Sequence, residues 1–168
     1  MDIQDIIRLS RSLFNLYNPD IWEQTAFFEE SGGYVVTARA RISFSEKNKT
    51  ERMKFEKEQR IVKNFAYFGF QIEHLAEYSG VSSPDVRIAG NSHGIARVNG
   101  KYADLKSTGS SNNIENYAKK AINEQGAELV LFEFTAKNAK IESEITKLSR
   151  KGIHGFYYYT GIRRCYEF

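Results

Sequence analysis

The stretch Ala103-Asp104-Leu105-Lys106-Ser107 decides the predicted fold and the place of its chemistry. Residues two apart on a β-strand point to the same face of a sheet. Asp104 and Lys106 are therefore predicted to share one face, with Leu105 turned into apolar packing on the other. The hairpin signal Asn99-Gly100 just upstream supports a strand at this point. The sequence thus predicts a carboxylate beside an ammonium at the edge of a sheet.

A second acidic motif, Pro84-Asp85, lies nineteen residues before Asp104. Proline biases the residue before it toward extended backbone, so the chain can pass directly into a strand that begins at Asp85. Two carboxylates and one ammonium at a sheet edge can bind a divalent cation and activate a water beside a phosphate. The alternative is that Asp85 only forms a turn, as aspartate often does after serine and proline.

A helix is predicted over 50–67, with Thr50 as its N-cap and Gly69 as its stop. Glu58 follows Phe55 by three residues and precedes Val62 by four, so it lies on the apolar stripe of this helix. A carboxylate on a buried face is costly unless it is paired or binds a cation. Glu58 is therefore either a third ligand for a metal or water, facing the other two carboxylates, or the partner of a nearby lysine or arginine.

Further candidates concern the substrate. The polar run 107–113 precedes a helix predicted over 114–125, and the free N–H groups at a helix start favour a phosphate. Asn113 is also a suitable N-cap, which is the structural alternative. His154 and Tyr158 are candidates for base stacking or proton transfer, although residues of either type more often serve the fold. The predicted substrate-binding residues are Ser107, Thr108, Asn113, Lys119, His154 and Tyr158.

Composition limits the classes of function. The chain has 168 residues, 41% hydrophobic, with a formal net charge of +3, which predicts one substantial core and identifies no partner by itself. Residues 39–63 carry nine Lys and Arg against four Glu, a local charge of +5 that could hold a phosphate backbone or form a solvated helix face. The single cysteine, Cys165, permits no disulfide within the chain and fits a reducing compartment. Neither a signal peptide nor a membrane span is recognisable, so a soluble, cytoplasmic protein is expected.

The remaining pattern predicts an α/β (α+β) fold, in which a central mixed sheet is flanked by helices. An amphipathic helix over 2–17 needs a partner surface, either the main domain or another chain. Two domains are assigned, an N-terminal extension over 1–50 and a catalytic domain over 51–168. The predicted strands are 34–40, 70–75, 86–88, 95–98, 102–107, 129–134, 156–160 and 164–168, a third helix covers 140–151, and 43–49 is assigned as loop.

The order of these motifs resembles the PD-(D/E)xK nuclease superfamily. The resemblance lies in a helix bearing Glu58, then Ser83-Pro84-Asp85-Val86, then Ala103-Asp104-Leu105-Lys106. The continuation is similar to the C-terminal toxin domains of bacterial contact-dependent growth-inhibition proteins, and to related nuclease modules of phage and mobile elements. It comprises Lys106-Ser107-Thr108, Asn112-Asn113-Ile114, Ala121, Gln125-Gly126-Ala127 and Val130-Leu131-Phe132-Glu133-Phe134. The resemblance covers residues 52–168.

This resemblance implies a restriction-endonuclease-like core with an extra N-terminal helix. Glu58, Asp85 and Asp104 would hold a divalent metal, Mg²⁺ or Mn²⁺ with Zn²⁺ as a further option. Lys106 would orient the attacking water, and Ser107 or Thr108 would assist at the phosphate. The implied activity is phosphodiester hydrolysis, with RNA, often transfer RNA, favoured over DNA. A cognate immunity protein and delivery into a target cell by a larger secreted effector are implied as well.

Three alternatives remain open from the sequence. A metal-free ribonuclease would use His154, Lys106 and Tyr158 for acid–base work, and EDTA separates it from the metal enzyme. A DNA endonuclease would share the acidic site. A non-catalytic nucleic-acid-binding or phage assembly module would keep its effect after Asp104→Ala. The oligomeric state is open too, because the N-terminal helix could pair with a second copy.

Overall fold

The computed structural model describes residues 2–168, which form two compact units. The first unit comprises residues up to 81 together with 85–101, and the second comprises 82–84 together with 102–168. The domain boundary predicted at residue 50 falls inside the first unit. The N-terminal helix and the first strands therefore belong to the same compact unit as the helix that bears Glu58.

The first unit contains four strands in the order β1-β2-β3-β4. The pair β1–β2 is antiparallel, β2–β3 is parallel and β3–β4 is antiparallel. A short 3₁₀ turn over Ala96–Val98 follows. The strands are β1 (Trp22–Phe27), β2 (Tyr34–Ala38), β3 (Phe70–His74) and β4 (Val86–Asn91), and the helices are α1 (Ile3–Asn15), α2 (Arg39–Ser45) and α3 (Lys49–Tyr67).

Helices cover both faces of this sheet. Phe14 of α1 is buried against Tyr34 and Val36 of β2, so α1 packs on the face to which even-numbered β2 residues point. Alternation along the strand turns Thr37 to the opposite face, where Gln59 of α3 donates a hydrogen bond to it. Of the two partner surfaces that the sequence left open for the N-terminal helix, the structure shows contact with the sheet of its own chain.

The second unit has four strands in the order β5-β6-β7-β8. The first three are parallel to one another, and β8 pairs antiparallel with β7. The two helices pack on the side to which Val130, Phe132 and Phe134 of β6 point. The strands are β5 (Tyr102–Thr108), β6 (Leu129–Phe134), β7 (Gly155–Tyr159) and β8 (Cys165–Glu167), and the helices are α4 (Ile114–Asn123) and α5 (Ala139–Arg150), with a 3₁₀ turn over Ser111–Asn113 before α4.

Four local predictions were wrong. The predicted loop 43–49 is largely helix, because α2 extends to Ser45. The predicted strand 95–98 is a 3₁₀ turn, with backbone bonds between residues three apart. Helix α3 is capped by Asn48, whose side chain accepts from Glu51 N at 2.9 Å, and not by Thr50. Strand β1 was not predicted, since the register shift between Gln24 and Ala26 interrupts its alternation.

The fold class is confirmed. Each unit carries mixed parallel and antiparallel strand pairs with helices packed on the sheet. Within residues 2–168, no helix has the length and apolar character needed to cross a membrane.

Candidate active site

Asp104 and Lys106 lie side by side on β5. Lys106 Nζ is 2.9 Å from Asp104 Oδ2, and the Asp104 side chain is almost fully buried while that of Lys106 retains 17% exposure. Leu105 is buried, as the alternation predicts. The pair is thus a largely buried ion pair in which the lysine keeps the greater exposure.

The surroundings of this pair are largely apolar. Parallel register places Asp104 beside Val130 and Lys106 beside Phe132, on the face covered by α4 and α5. Lys106 Nζ lies 5.8 Å from the ring centroid of Tyr117 on α4. Low dielectric at this position strengthens the field of the ammonium, so an anionic group that reaches Lys106 would be held firmly.

Thr108 and Asn113 meet at the end of β5. Thr108 Oγ1 accepts hydrogen bonds from Ser110 N at 3.1 Å and from Asn113 Nδ2 at 3.2 Å. Asn113 occupies the N-cap position of α4, but its side chain makes no capping bond. Thr108 also shares the strand face of Lys106 by its spacing. The structure therefore brings two of the predicted substrate residues together beside the start of α4.

Ser107 and Tyr158 lie on the opposite face of the same strands, joined through Glu133. Both hydroxyls donate to the Glu133 carboxylate at 2.7 Å. Glu133 and Tyr158 are buried, so the Tyr158 ring is held inside the unit. The sequence signal for this group was the single acidic residue within the apolar run 129–134. The substrate roles of Ser107 and Tyr158 stay predictions.

The two other substrate candidates are exposed. Lys119 Nζ lies 2.8 Å from Glu115 Oε1, and Lys151 Nζ reaches the same oxygen at 2.8 Å. Hydrogen bonds from these two lysines lower the pKa of Glu115 to about 2. His154 precedes β7, and its carbonyl oxygen accepts from Val130 N at 3.1 Å.

In the first unit, Glu58 lies in a buried ionic cluster. Its Oε1 accepts from Arg41 Nη2 at 3.1 Å and from His74 Nε2 at 2.8 Å. Gln59 Nε2 donates to His74 Nδ1 at 2.7 Å, which assigns the His74 proton to Nε2. All three members of the Arg41–Glu58–His74 cluster are at most 3% exposed.

The charge of Glu58 is balanced by its neighbours. Burial acts to raise the pKa of Glu58, but the hydrogen bond from His74, together with the charges of Arg41 and Lys54, outweighs burial and holds that pKa below its ordinary value. Glu58 thus has an arginine partner, which is the second alternative that the sequence left open. A catalytic role for Glu58 stays a prediction.

Asp85 immediately precedes β4, and its carbonyl accepts from Leu75 N at 2.9 Å. The Lys54 ammonium lies 2.6 Å from Glu77. Burial acts to lower the pKa of Lys54, but the hydrogen bond that Lys54 donates to Glu77 and the charges of Glu58, Glu77 and Asp85 leave it raised. Asp85 and Glu58 therefore both lie within the electrostatic reach of Lys54.

A metal site needs several side-chain ligands that converge on one point. Within residues 2–168, no group of three or more His, Cys, Asp or Glu side chains is arranged to hold a metal ion. Glu58 already has two hydrogen-bond donors, and Asp104 is paired with Lys106. In this arrangement the carboxylates fit charge-balanced pairs rather than a preassembled metal centre, and metal binding stays a prediction.

Comparison with known proteins supports the fold. No family model matches the chain, and no curated protein is significantly similar to it. One similar solved structure is a chain of the CdiA-CT/CdiI toxin and immunity complex from Burkholderia pseudomallei, with 17% sequence identity and a TM-score of 0.52 over 73% of this chain and 89% of that chain. The fold of this chain is therefore similar to that of one chain of a toxin and immunity complex, which supports in part the resemblance drawn from its sequence.

Proposed function

We propose that this protein is a toxin-type nuclease that hydrolyses phosphodiester bonds in RNA. The observation that carries the proposal is the Asp104–Lys106 ion pair on β5, in which the Lys106 side chain is partly exposed. The similarity of the fold to a chain of a toxin and immunity complex supports a toxin role. Transfer RNA is the substrate that the sequence resemblance favours.

The residues of the second unit have distinct tasks in this reaction. Lys106 donates to a non-bridging oxygen of the scissile phosphate and balances the charge that develops on the phosphorane. Asp104 accepts a hydrogen bond from the attacking water and takes its proton as general base. The water oxygen bonds to phosphorus, the P–O bond to the departing ribose oxygen breaks, and that oxygen takes a proton from solvent. The Thr108–Asn113 pair, next to the positive end of the α4 dipole, orients an adjacent phosphate.

A divalent cation, Mg²⁺, Mn²⁺ or Zn²⁺, belongs to the proposal as the sequence predicts it. When bound, it would supply Lewis-acid charge at the phosphate. The tasks of Lys106 and Asp104 are the same with or without it. Sensitivity to EDTA is therefore the measurement that decides between the metal enzyme and the metal-free ribonuclease.

The test is incubation of the purified protein with total RNA and with plasmid DNA, each with added cation or with EDTA. Asp104→Asn and Lys106→Met should each reduce RNA cleavage by about a hundredfold or more. Lys140→Met, an exposed lysine at the start of α5, is the matched control and should cleave normally. Equal cleavage by wild type and Asp104→Asn would overturn the catalytic assignment, and cleavage of DNA alone would overturn the substrate.

A toxin role predicts a protein that neutralises it. Expression of the wild-type chain in a bacterial host should arrest growth, whereas expression of Asp104→Asn should not. Growth should recover when a cognate immunity protein is expressed together with the toxin. Unimpaired growth with soluble, cleavage-competent protein would separate the nuclease activity from the toxin role.

A further inference from the structure

An open cleft of about 520 Å³ lies in the first unit beside α3 and β1. Its volume is in the range of pockets that hold small ligands. None of the residues to which the proposed reaction assigns a task lines it. The lining residues are Glu23, Thr25, Ile42, Phe55, Glu56, Gln59, Arg60 and Lys63.

The polar groups of this cleft are held in place by the interior of the unit. Gln59 is 8% exposed, and its Nε2 donates to Thr37 Oγ1 at 2.9 Å and to His74 Nδ1 at 2.7 Å. Neither bond uses the Gln59 amide oxygen. Thr25 Oγ1 lies 3.1 Å from Thr37 Oγ1, so the two hydroxyls share a hydrogen bond. A ligand would therefore meet hydrogen-bonding groups whose orientation is already fixed, which lowers the entropy cost of binding.

The charged lining has both signs. Arg60 and Lys63 are exposed and project from one helix, one turn apart. Glu23 and Glu56 are exposed as well, and Glu23 lies 3.8 Å from Arg39. A simple anion would be attracted by the cations and repelled by the carboxylates. A ligand that carries both an anionic group and several hydroxyl or amino donors satisfies both sets.

We propose that this cleft binds one unpaired ribonucleotide of the RNA substrate, at a distance in sequence from the Asp104–Lys106 pair. Arg60 and Lys63 contact its phosphates. Gln59 Nε2 already donates to Thr37 and His74, and Thr25 Oγ1 donates to the Val35 carbonyl, so the Gln59 amide oxygen and Thr25 Oγ1 accept hydrogen bonds from donors on the edge of its base. Glu56 accepts from the ribose hydroxyls, which favours RNA over DNA because only RNA has the 2′-hydroxyl donor. The inference rests on the proposed nuclease function and gives a task to two cations of the segment 39–63 that the proposed reaction does not use.

The first experiment measures binding of a fluorescently labelled single-stranded RNA by anisotropy, in full-length protein carrying Asp104→Asn so that the RNA stays intact. Lys63→Met should weaken binding by about fivefold to tenfold and lower the slope of log K against log salt by about one. Lys57→Met removes the same charge from an exposed position of α3 outside the cleft, and its affinity should change by less than about twofold. If both substitutions reduce RNA affinity equally, the cleft proposal is wrong, and RNA is attracted to the charge of the helix as a whole.

The second experiment fills the cleft without changing its charge. Ile42→Trp replaces an aliphatic side chain of the lining by a larger indole ring and should weaken RNA binding by about tenfold. Circular dichroism and thermal melting report whether the variant keeps its fold. Glu56→Gln, at an exposed position, should reduce the preference for RNA over DNA of the same sequence. Unchanged affinity in a folded Ile42→Trp protein would overturn the proposal, and so would equal affinity of the Asp104→Asn parent for RNA and DNA.

The two proposals fail separately. If Asp104→Asn and Lys106→Met still cleave RNA, the catalytic assignment falls, and the Lys63 and Ile42 variants are then compared on a cleavage-resistant phosphorothioate RNA, which still decides the cleft. If cleavage needs Asp104 but Lys63→Met and Ile42→Trp bind RNA as their parent does, only the cleft proposal falls.

Discussion

Arg41 and Glu58 are each tolerated in the interior because the other is present. Removing Arg41 alone leaves a buried carboxylate with less compensation, so Arg41→Met should lower the free energy of unfolding by about 3 kcal/mol. Pairing it with Glu58→Gln removes that charge and keeps an acceptor for His74. The double variant should therefore recover part of the loss, because it no longer holds a buried carboxylate that has lost its arginine partner.

Urea unfolding of the two single variants and the double variant checks this prediction. Additive losses would show that Arg41 and Glu58 act independently. The same proteins also test the role of Glu58 in catalysis. If the stable double variant cleaves RNA normally, Glu58 serves the fold alone, and if it is inactive, Glu58 has a task beyond its pairing with Arg41.

The single cysteine should be chemically inert in the native protein. Burial raises the pKa of Cys165 to about 12, although a hydrogen bond with the Tyr166 backbone opposes the shift. Since the thiolate is the reactive form, iodoacetamide should not label native Cys165 at mildly alkaline pH and should label it readily in guanidinium. Mass spectrometry of the two samples gives the answer, and rapid labelling of the native protein would contradict it.

At this scale the sequence revealed pairs that are close along the chain and missed pairs that are distant. Asp104 and Lys106 are two residues apart, so strand geometry alone places them on one face. Glu133 receives its hydrogen bonds from residues 26 and 25 positions away. No periodicity relates such positions, and their contact follows only from the parallel register of three strands.

Among the elements, α3 allows a direct test of where its N-terminus lies. The Asn48 side chain satisfies the free N–H of Glu51. Asn48→Ala should lower the free energy of unfolding by about 1 kcal/mol. Thr50→Ala, the control at the N-cap predicted from sequence, lies inside the first turn and should cost less than about 0.5 kcal/mol. A larger loss of unfolding free energy from Thr50→Ala than from Asn48→Ala would contradict the observed cap.

The close approach of β7 to β6 depends on a glycine. A Cβ built on Gly155 would lie 1.8 Å from the Val130 carbonyl oxygen, so a side chain there forces the strands apart. Gly155→Ala should cost about 3 kcal/mol or more in unfolding free energy. Gly126→Ala meets open space but has a φ of 73°, so it should cost only about 1 kcal/mol. Thermal melting of both variants ranks the two effects, and the reverse order would refute the packing argument.

The elements predicted well from the sequence carry a strong periodic or apolar pattern. Strand β6 was predicted over 129–134 because five of its six residues are apolar, and in the structure all six are buried. Helix α2 was not predicted because it is only seven residues long and lacks a capping signal in the sequence. Its N-cap residue is Ala38, which has no side-chain group that could accept a capping hydrogen bond. Short elements depend on packing with distant parts of the chain, and α2 packs against α3.

For the whole molecule, the fold class follows from the order of elements, whereas the division at residue 101 does not. The predicted boundary came from where a sequence resemblance begins. The observed units depend instead on packing, since α3 contacts β2 and β3 and thereby brings residues before and after 50 into one unit. Such contacts leave no mark in composition at position 50.

Acid should weaken the protein through carboxylates in both units. Glu58 in the first unit and Glu115 in the second have pKa values below 4.5, their ordinary value. In mild acid the folded state therefore binds fewer protons than the unfolded state does. A depressed folded pKa gives stability that is present above the unfolded pKa and is lost as pH falls through the folded pKa. The urea midpoint should therefore fall as pH drops below about 4.5, in the window set by these two shifts.

The variants separate the two contributions. Glu58→Gln should lower the midpoint at neutral pH and flatten its decline in acid, and added salt should change this difference little because the Glu58 cluster is buried. Glu115→Gln should affect the acid decline only at low salt, since its ion pairs with Lys119 and Lys151 are exposed to screening. A Glu58→Gln protein whose stability falls in acid as steeply as that of the wild type would show that the buried cluster does not control the pH response.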